Sequence, residues 1–171
     1  GSQAEIRLKG SNRGKAELIG NYKESENGSS FLFDDFEYIQ DWDDIYTLSA
    51  SITDLAGNET SKEIIFSVNR FGSVYVMEKE ARNIGGTYIQ KEQDIMLTET
   101  NVDSLPEESV RVKVSHNGNT QDLKRGSDYT IDREGGDGSW TRYRYKIPAE
   151  KFREEGQYIV TVSSRDTAGN I

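Results

Sequence analysis

The chain has 171 residues, a third of them hydrophobic, with a formal net charge of −9 and a pI near 4.7. A surface this acidic argues against nucleic acid and anionic membranes as partners, because both need a basic footprint. The absence of cysteine and the single histidine, His116, exclude disulfides, thiolate chemistry, cysteine-zinc sites and histidine-rich metal clusters.

No run approaches the roughly eighteen apolar residues of a membrane span, so this segment is not expected to insert in a bilayer. The Gly1-Ser2 start reads as an expression scar on a piece cut from something longer, which makes missing targeting signals uninformative. In chain order, "EIRLK" (5–9), "KAELIG" (15–20) and "SFLF" (30–33) are the first strand candidates. The acidic stretch "DDFEYIQDWDD" follows, with Asp34, Asp35, Glu37, Asp41, Asp43 and Asp44. Calcium takes about six to eight oxygens, and closely spaced carboxylates on a loop can supply several. No EF-hand spacing is visible, so a solvated acidic corner is the preferred reading and no cofactor is expected.

A period-two strand comes next. Tyr46, Leu48, Ala50 and Ile52 are expected on a core face, with Thr47, Ser49, Ser51 and Thr53 on a wet one. Then "DLAGN" supplies Asp54, Gly57 and Asn58 for a tight type I turn with a glycine bulge. The return strand "EIIFSVN" is expected to place Ile64, Phe66 and Val68 inward. The same layout returns 112 residues later (158 − 46, 166 − 54), with Tyr158, Val160 and Val162 inward and Asp166, Gly169 and Asn170 in the turn. The repeat reads as the last hairpin of a β module, used once per module.

Between the copies, "DIMLT" (94–98) and "VRVKV" (110–114) place Ile95, Leu97, Val110, Val112 and Val114 inside, ahead of the turn "HNGN". "DYTID" (128–132) and "WTRYRYKI" (140–147) form a hairpin with Tyr129 and Ile131 facing Tyr143, Tyr145 and Ile147. The expected register sets Asp132 across from Arg142 and Asp128 across from Lys146. Pro148 before "AEKF" allows one helical turn, and no segment sustains a 3.6-residue period.

Trp140, Arg142, Arg144 and Lys146 share a face and could stack on a sugar or hold a glycan carboxylate. Cross-strand pairing with Asp128, Asp132 and Glu134 is the preferred account. His116 sits at a turn, where a lone histidine is ordinarily a surface residue. No nucleophile elbow, phosphate-binding loop or second histidine is present, and the glycines of "NIGGT" and "REGGDG" lie between strands as turns, so no enzyme is expected.

"EEGQY" resembles the tyrosine corner of immunoglobulin domains, with Glu154, Gly156 and Tyr158 on the motif and Val160 in the place of the cysteine. In the first half Tyr46 keeps the tyrosine and Leu48 replaces the cysteine, while Trp42 and Asp44 depart from the acid and the glycine. "DLAGN…IIFSVNRFGSVY" resembles the tandem Ig-like modules of Gram-positive cell-surface and secreted proteins, over residues 46–75 and 154–170. That resemblance implies an extracellular or wall-associated bacterial origin and a spacer or adhesive role, with a surface glycan or host protein as partner. In some such modules a Lys is cross-linked to an Asn beside an acid, but no spacing here singles out a pair.

The expectation is an all-β protein of two tandem immunoglobulin-like β-sandwiches with little helix. Residues 1–71 form the first, open to N-terminal truncation, and residues 72–171 the second, lacking its last strand. The function expected is a non-catalytic structural or adhesive segment; the alternatives are a carbohydrate-binding module or an accessory segment of a larger glycan-active enzyme. A monomer is expected, with an open strand edge near the C-terminus that can contact other strands.

Overall fold

The computed structural model describes residues 3–11, 18–26, 28–33, 36–78, 82, 85–136 and 139–171. The protein is all-β: its sheets are antiparallel, and among the described residues the helical segments with a full range are 3-10 turns at Gln40–Trp42, Glu107–Ser109 and Ala149–Phe152. The last is the turn that Pro148 announced. The chain divides into two compact units, Gly1–Phe71 and Gly72–Gly136 with Trp140–Ile171.

The first unit contains β1 (Gln3–Gly10), β2 (Leu18–Ile19), β3 (Asn21–Ser25), β4 (Gly28–Leu32), β5 (Asp44–Thr53) and β6 (Glu59–Val68). Its main sheet has the order β2-β1-β5-β6, and β3 and β4 form a separate hairpin. The register lines up Leu18, Leu8, Leu48 and Ile64 in one cross-strand row and sets Tyr46 beside Phe66. Burial concentrates at the Tyr46 end, where the Phe36 ring lies 5.1 Å from that of Trp42 and 5.4 Å from that of Tyr46.

The inward face expected of this sheet is only partly a core. Tyr46 is buried, but Ile52 is 55 % exposed, Ile64 49 % and Phe66 39 %. The pattern of alternation is present and its cover is not: among the described residues, no second sheet of comparable size lies within this unit to bury the far end. The residues 15–17 of the second strand candidate lie outside those described; Leu18–Ile19 is what pairs with β1.

The second unit holds β7 (Val74–Met77), β8 (Ile95–Asn101), β9 (Arg111–His116), β10 (Asn119–Asp122), β11 (Thr130–Gly135), β12 (Thr141–Ile147) and β13 (Tyr158–Ser163). They form two sheets, β11-β12-β8-β7 and β10-β9-β13. Val110, Val112, Val114 and Leu123 meet Tyr129, Tyr143, Tyr145 and Ile147 in a shared core, flanked by Ile95, Leu97, Val160 and Val162. This unit is therefore a β-sandwich, two sheets with one apolar interior.

The β11–β12 hairpin is present in a different register. Glu134 lies across from Arg142, Asp132 from Arg144 and Thr130 from Lys146, so the expected Asp132–Arg142 and Asp128–Lys146 pairings do not form. The strand runs on to Gly135, opposite Thr141, which moves every partner by two residues while keeping each on its face. Asp128 never enters the strand, because its carboxylate accepts the Lys124 N–H (2.8 Å) and pairs with Lys151 Nζ (2.6 Å).

Candidate functional site

The residues repeated between the units do repeat their bonding. Asp54 N–H donates to Asn58 O (2.9 Å) and Gly57 N–H to Asp54 O (3.1 Å); Asp166 N–H donates to Asn170 O (3.1 Å) and Gly169 N–H to Asp166 O (3.0 Å). In both turns the aspartate carboxylate accepts the asparagine backbone N–H (2.9 Å each) and its side-chain Nδ2 (2.8 and 3.1 Å). Gly57 and Gly169 take φ of 87° and 93°, the left-handed region that a bulge glycine supplies.

The two tyrosines also match. Tyr46 Oη donates to Trp42 O (2.6 Å) and Tyr158 Oη to Glu154 O (2.9 Å), each reaching back four residues. At the second corner His116 ends β9 and stacks on Tyr158, centroids 4.4 Å apart, with Nε2 3.0 Å from Glu155 O. Gly156 is required here: its φ is 144°, and a Cβ would lie 2.5 Å from Asn117 Oδ1.

Two carboxylates of the acidic stretch, Asp43 and Asp44, are engaged by protein donors. Asp43 accepts the backbone N–H groups of Arg70 (2.7 Å) and Phe71 (2.8 Å) and pairs with Arg70 Nε (2.9 Å). The Arg70 guanidinium lies over the rings of Phe36 and Tyr38 and reaches the carbonyls of Glu37 and Ile39. Asp44 accepts Ser11 Oγ–H (3.1 Å) and the Ile45 N–H (2.8 Å), while Asp41 is exposed. Asp34 and Asp35 lie outside the described residues. Among the described residues no three acidic or histidine side chains converge as metal ligands.

On the outer face of β12, Arg144 pairs with Glu134 (3.2 Å), Arg142 stands 3.9 Å from the same carboxylate, and Lys146 pairs with Asp94 (2.9 Å). Trp140 is half-buried at the head of this row. The basic row thus alternates with acids of its own sheet.

A buried polar network links β7, β8, β12 and the Asp166 turn, and it was not singled out from the sequence. Glu99, fully buried, accepts hydrogen bonds from Ser73, from Ser164 and from Tyr145 Oη (2.5 Å). Since Ser164 gives its proton to Glu99, Tyr75 donates to Ser164 (2.8 Å). Asn101, also fully buried, donates Nδ2–H to Ser73 Oγ (2.8 Å) and Asp166 Oδ2 (3.1 Å), and its Oδ1 accepts the Asp103 N–H.

Burial pushes the Tyr75 phenol up to about 12, and burial with the adjacent Glu99 raises Tyr145 further, so both are neutral donors. The signal that finds this network is plain in retrospect: the parity that places Ile95 and Leu97 inward places Glu99 and Asn101 inward too.

An open groove of about 470 Å³ runs beside β9 and β10, floored by Val112, Leu123 and Tyr129. Four of its rim charges are paired, Arg125 with Glu107 (3.2 Å) and Lys113 with Asp122 (3.6 Å), and Arg111 donates to the carbonyls of Glu108 and Val110. No family model matches the chain, and no curated protein matches it either.

Proposed function

We propose that the chain is a non-catalytic structural or adhesive segment built of two immunoglobulin-like modules, from a bacterial surface or secreted protein. The observation that carries this reading is the doubled motif: a tyrosine bonded to the carbonyl four residues back, heading a strand that ends in the same Asp-Asn turn, once in each unit. A tyrosine corner of this kind is a mark of immunoglobulin-like sandwiches. The extracellular assignment is supported by the likeness of residues 46–75 and 154–170 to modules of Gram-positive surface proteins.

The non-catalytic part is supported by how the polar groups are spent. Glu99 is sealed from solvent and its oxygens accept from three hydroxyls, so it is not presented to a substrate. The ion pairs along β12 weigh against a glycan-binding stripe there, because a ligand carboxylate would have to displace Glu134. The test is a binding screen of the intact chain on glycan arrays. A structural segment gives no saturable signal. Saturable binding lost in Trp140→Ala, at an unchanged melting temperature, would replace this reading with a carbohydrate-binding module.

A further inference from the structure

The groove beside β9 and β10 is built by a stretch of chain that its own bonds hold in place. Leu123 N–H donates to Val112 O (2.8 Å), which ties the chain leaving β10 to β9. Residues 124–129 then close on themselves: Gly126 N–H donates to Tyr129 O (2.8 Å), Asp128 N–H to Lys124 O (2.8 Å), and Arg125 bridges to Tyr129. Arg125 and Tyr129 thus line one concavity together with Arg111 and Val112 of β9.

Two features of that concavity point to a ligand. The first is Tyr129. It is 5 % exposed and lines the groove, yet among the described residues its hydroxyl has no hydrogen-bond partner. A buried phenol ordinarily finds one. The hydroxyl is not sealed within the protein either, so the groove is what it faces. Burial raises its pKa against the opposing pull of Arg125 and Arg111, so it is a neutral donor with two guanidinium groups nearby.

The second feature is charge. Arg111, Lys113 and Arg125 line the groove with Glu107 and Asp122, which leaves one positive charge over on a protein of net charge −9. That charge is on Arg111. Its Nη1 donates to the carbonyls of Glu108 and Val110, and among the described residues no acidic side chain pairs with it, so Nε and Nη2 remain. Those two N–H groups can grip a carboxylate side-on. The Arg125–Glu107 bridge is exposed, and a ligand can displace such a bridge at small cost.

From these observations we infer that the groove is a binding site for a small organic acid, its carboxylate held by Arg111 and Tyr129 Oη and its apolar body laid on Val112 and Leu123. The volume of about 470 Å³ is that of a small-molecule site. A single negative charge matches the one cation left over. The aliphatic floor offers nothing to the hydroxyls of a sugar, which favours an apolar acid.

The test is a titration of the intact, isotopically labelled chain with phenylacetate, followed by its amide resonances. Saturable shifts centred on Val112, Leu123, Arg125 and Tyr129 are expected. Phenylacetamide, the same body without the charge, should bind at least about tenfold more weakly, and Arg111→Gln should weaken phenylacetate by a similar factor. Tyr129→Phe is the sharper variant. It removes no protein hydrogen bond, so the melting temperature should hold while phenylacetate binding falls about three- to tenfold. Absence of saturable shifts at tens of millimolar phenylacetate would overturn the site, as would equal affinity for the amide or unchanged binding in Tyr129→Phe. Inorganic phosphate bound as tightly as phenylacetate would overturn the organic-acid assignment and leave only a surface for anions.

Discussion

Replacing Glu99 with Gln keeps the shape of a fully buried side chain and changes the direction of one hydrogen bond. Both Glu99 oxygens accept: Oε1 takes the Ser73 and Ser164 hydroxyls, and Oε2 takes Tyr145 Oη. A glutamine has one accepting oxygen. Its least costly placement keeps that oxygen on the two serines and aims the NH2 group at Tyr145, donor against donor. Tyr145 is 1 % exposed, so its displaced proton finds no water.

One buried donor left unmade costs about 1–3 kcal/mol. For a unit of about a hundred residues each kcal/mol moves the midpoint by roughly 4–8 °C, so Glu99→Gln should lower the melting of the second unit by about 5–20 °C. Calorimetry measures it. The double variant with Tyr145→Phe removes the misdirected proton and should recover about 1 kcal/mol relative to the sum of the singles. A Glu99→Gln protein that melts at or above the parent temperature would refute the donor directions and show that shedding the buried charge outweighs the lost bond.

Tyr46→Phe should cost about 1–2 kcal/mol, because it removes a buried hydrogen bond, and Tyr158→Phe under about 1 kcal/mol, since water can replace its exposed bond; paired urea melts compare them. Gly156→Ala should destabilise more than Gly57→Ala or Gly169→Ala. All three force a positive φ, but only at Gly156 does the new Cβ meet neighbours within 3 Å. Asp128 is held below the ordinary carboxylate value of 3.8 first by Lys151 and then by the Lys124 N–H. A depressed folded pKa contributes stability that is full above that value and is lost as pH falls through the lower one. Asp128→Asn should therefore flatten the acid limb of the melting curve below pH 4, and an unchanged limb would contradict the pairing. Asp54→Ala should disturb only its own turn, whereas Asp166→Ala should also shift the resonances of Asn101 and Ser73, which it reaches through Asn101 Nδ2.

Local signals were legible wherever the residues that make a feature also sit close in sequence. The Asp-x-Ala-Gly-Asn turns, the Asn117-Gly118 turn and the alternation of β5, β8, β9 and β12 are of this kind. Features that depend on distant partners were not. The exposure of Ile64 and Phe66 follows from what lies over the sheet, which alternation does not encode. The two-residue change of register between β11 and β12 turned on where the glycine run "GGDG" stops being strand, a choice that parity leaves open. β10, "NTQD", is polar and exposed throughout, so it carries no hydrophobic period and forms because β9 offers an edge beyond the Asn-Gly turn. Glu99 and Asn101 carry no hydrophobic signal of their own, so the apolar alternation of β8 stops at Leu97 although its inward parity continues.

The two Asp-Asn turns separate what a local signal decides from what the fold adds to it. Their side-chain bonds span four residues and are nearly equal in length, though Asp54 is exposed and Asp166 is buried. Solvent exposure therefore does not set the geometry of the bend; the Asp, Gly and Asn do. Burial adds a second task. The Asp166 oxygen that holds Asn170 also accepts from Asn101, and Asn101 passes through Ser73 to Glu99. That chain of bonds ties the turn to β8 and to Ser73 at the head of β7, fixing the direction of the bend. A turn that is rigid by its own sequence and also anchored by its surroundings has two separable supports, so losing Asp166 removes both the bend and its tie to the buried network, whereas losing Asp54 removes the bend alone.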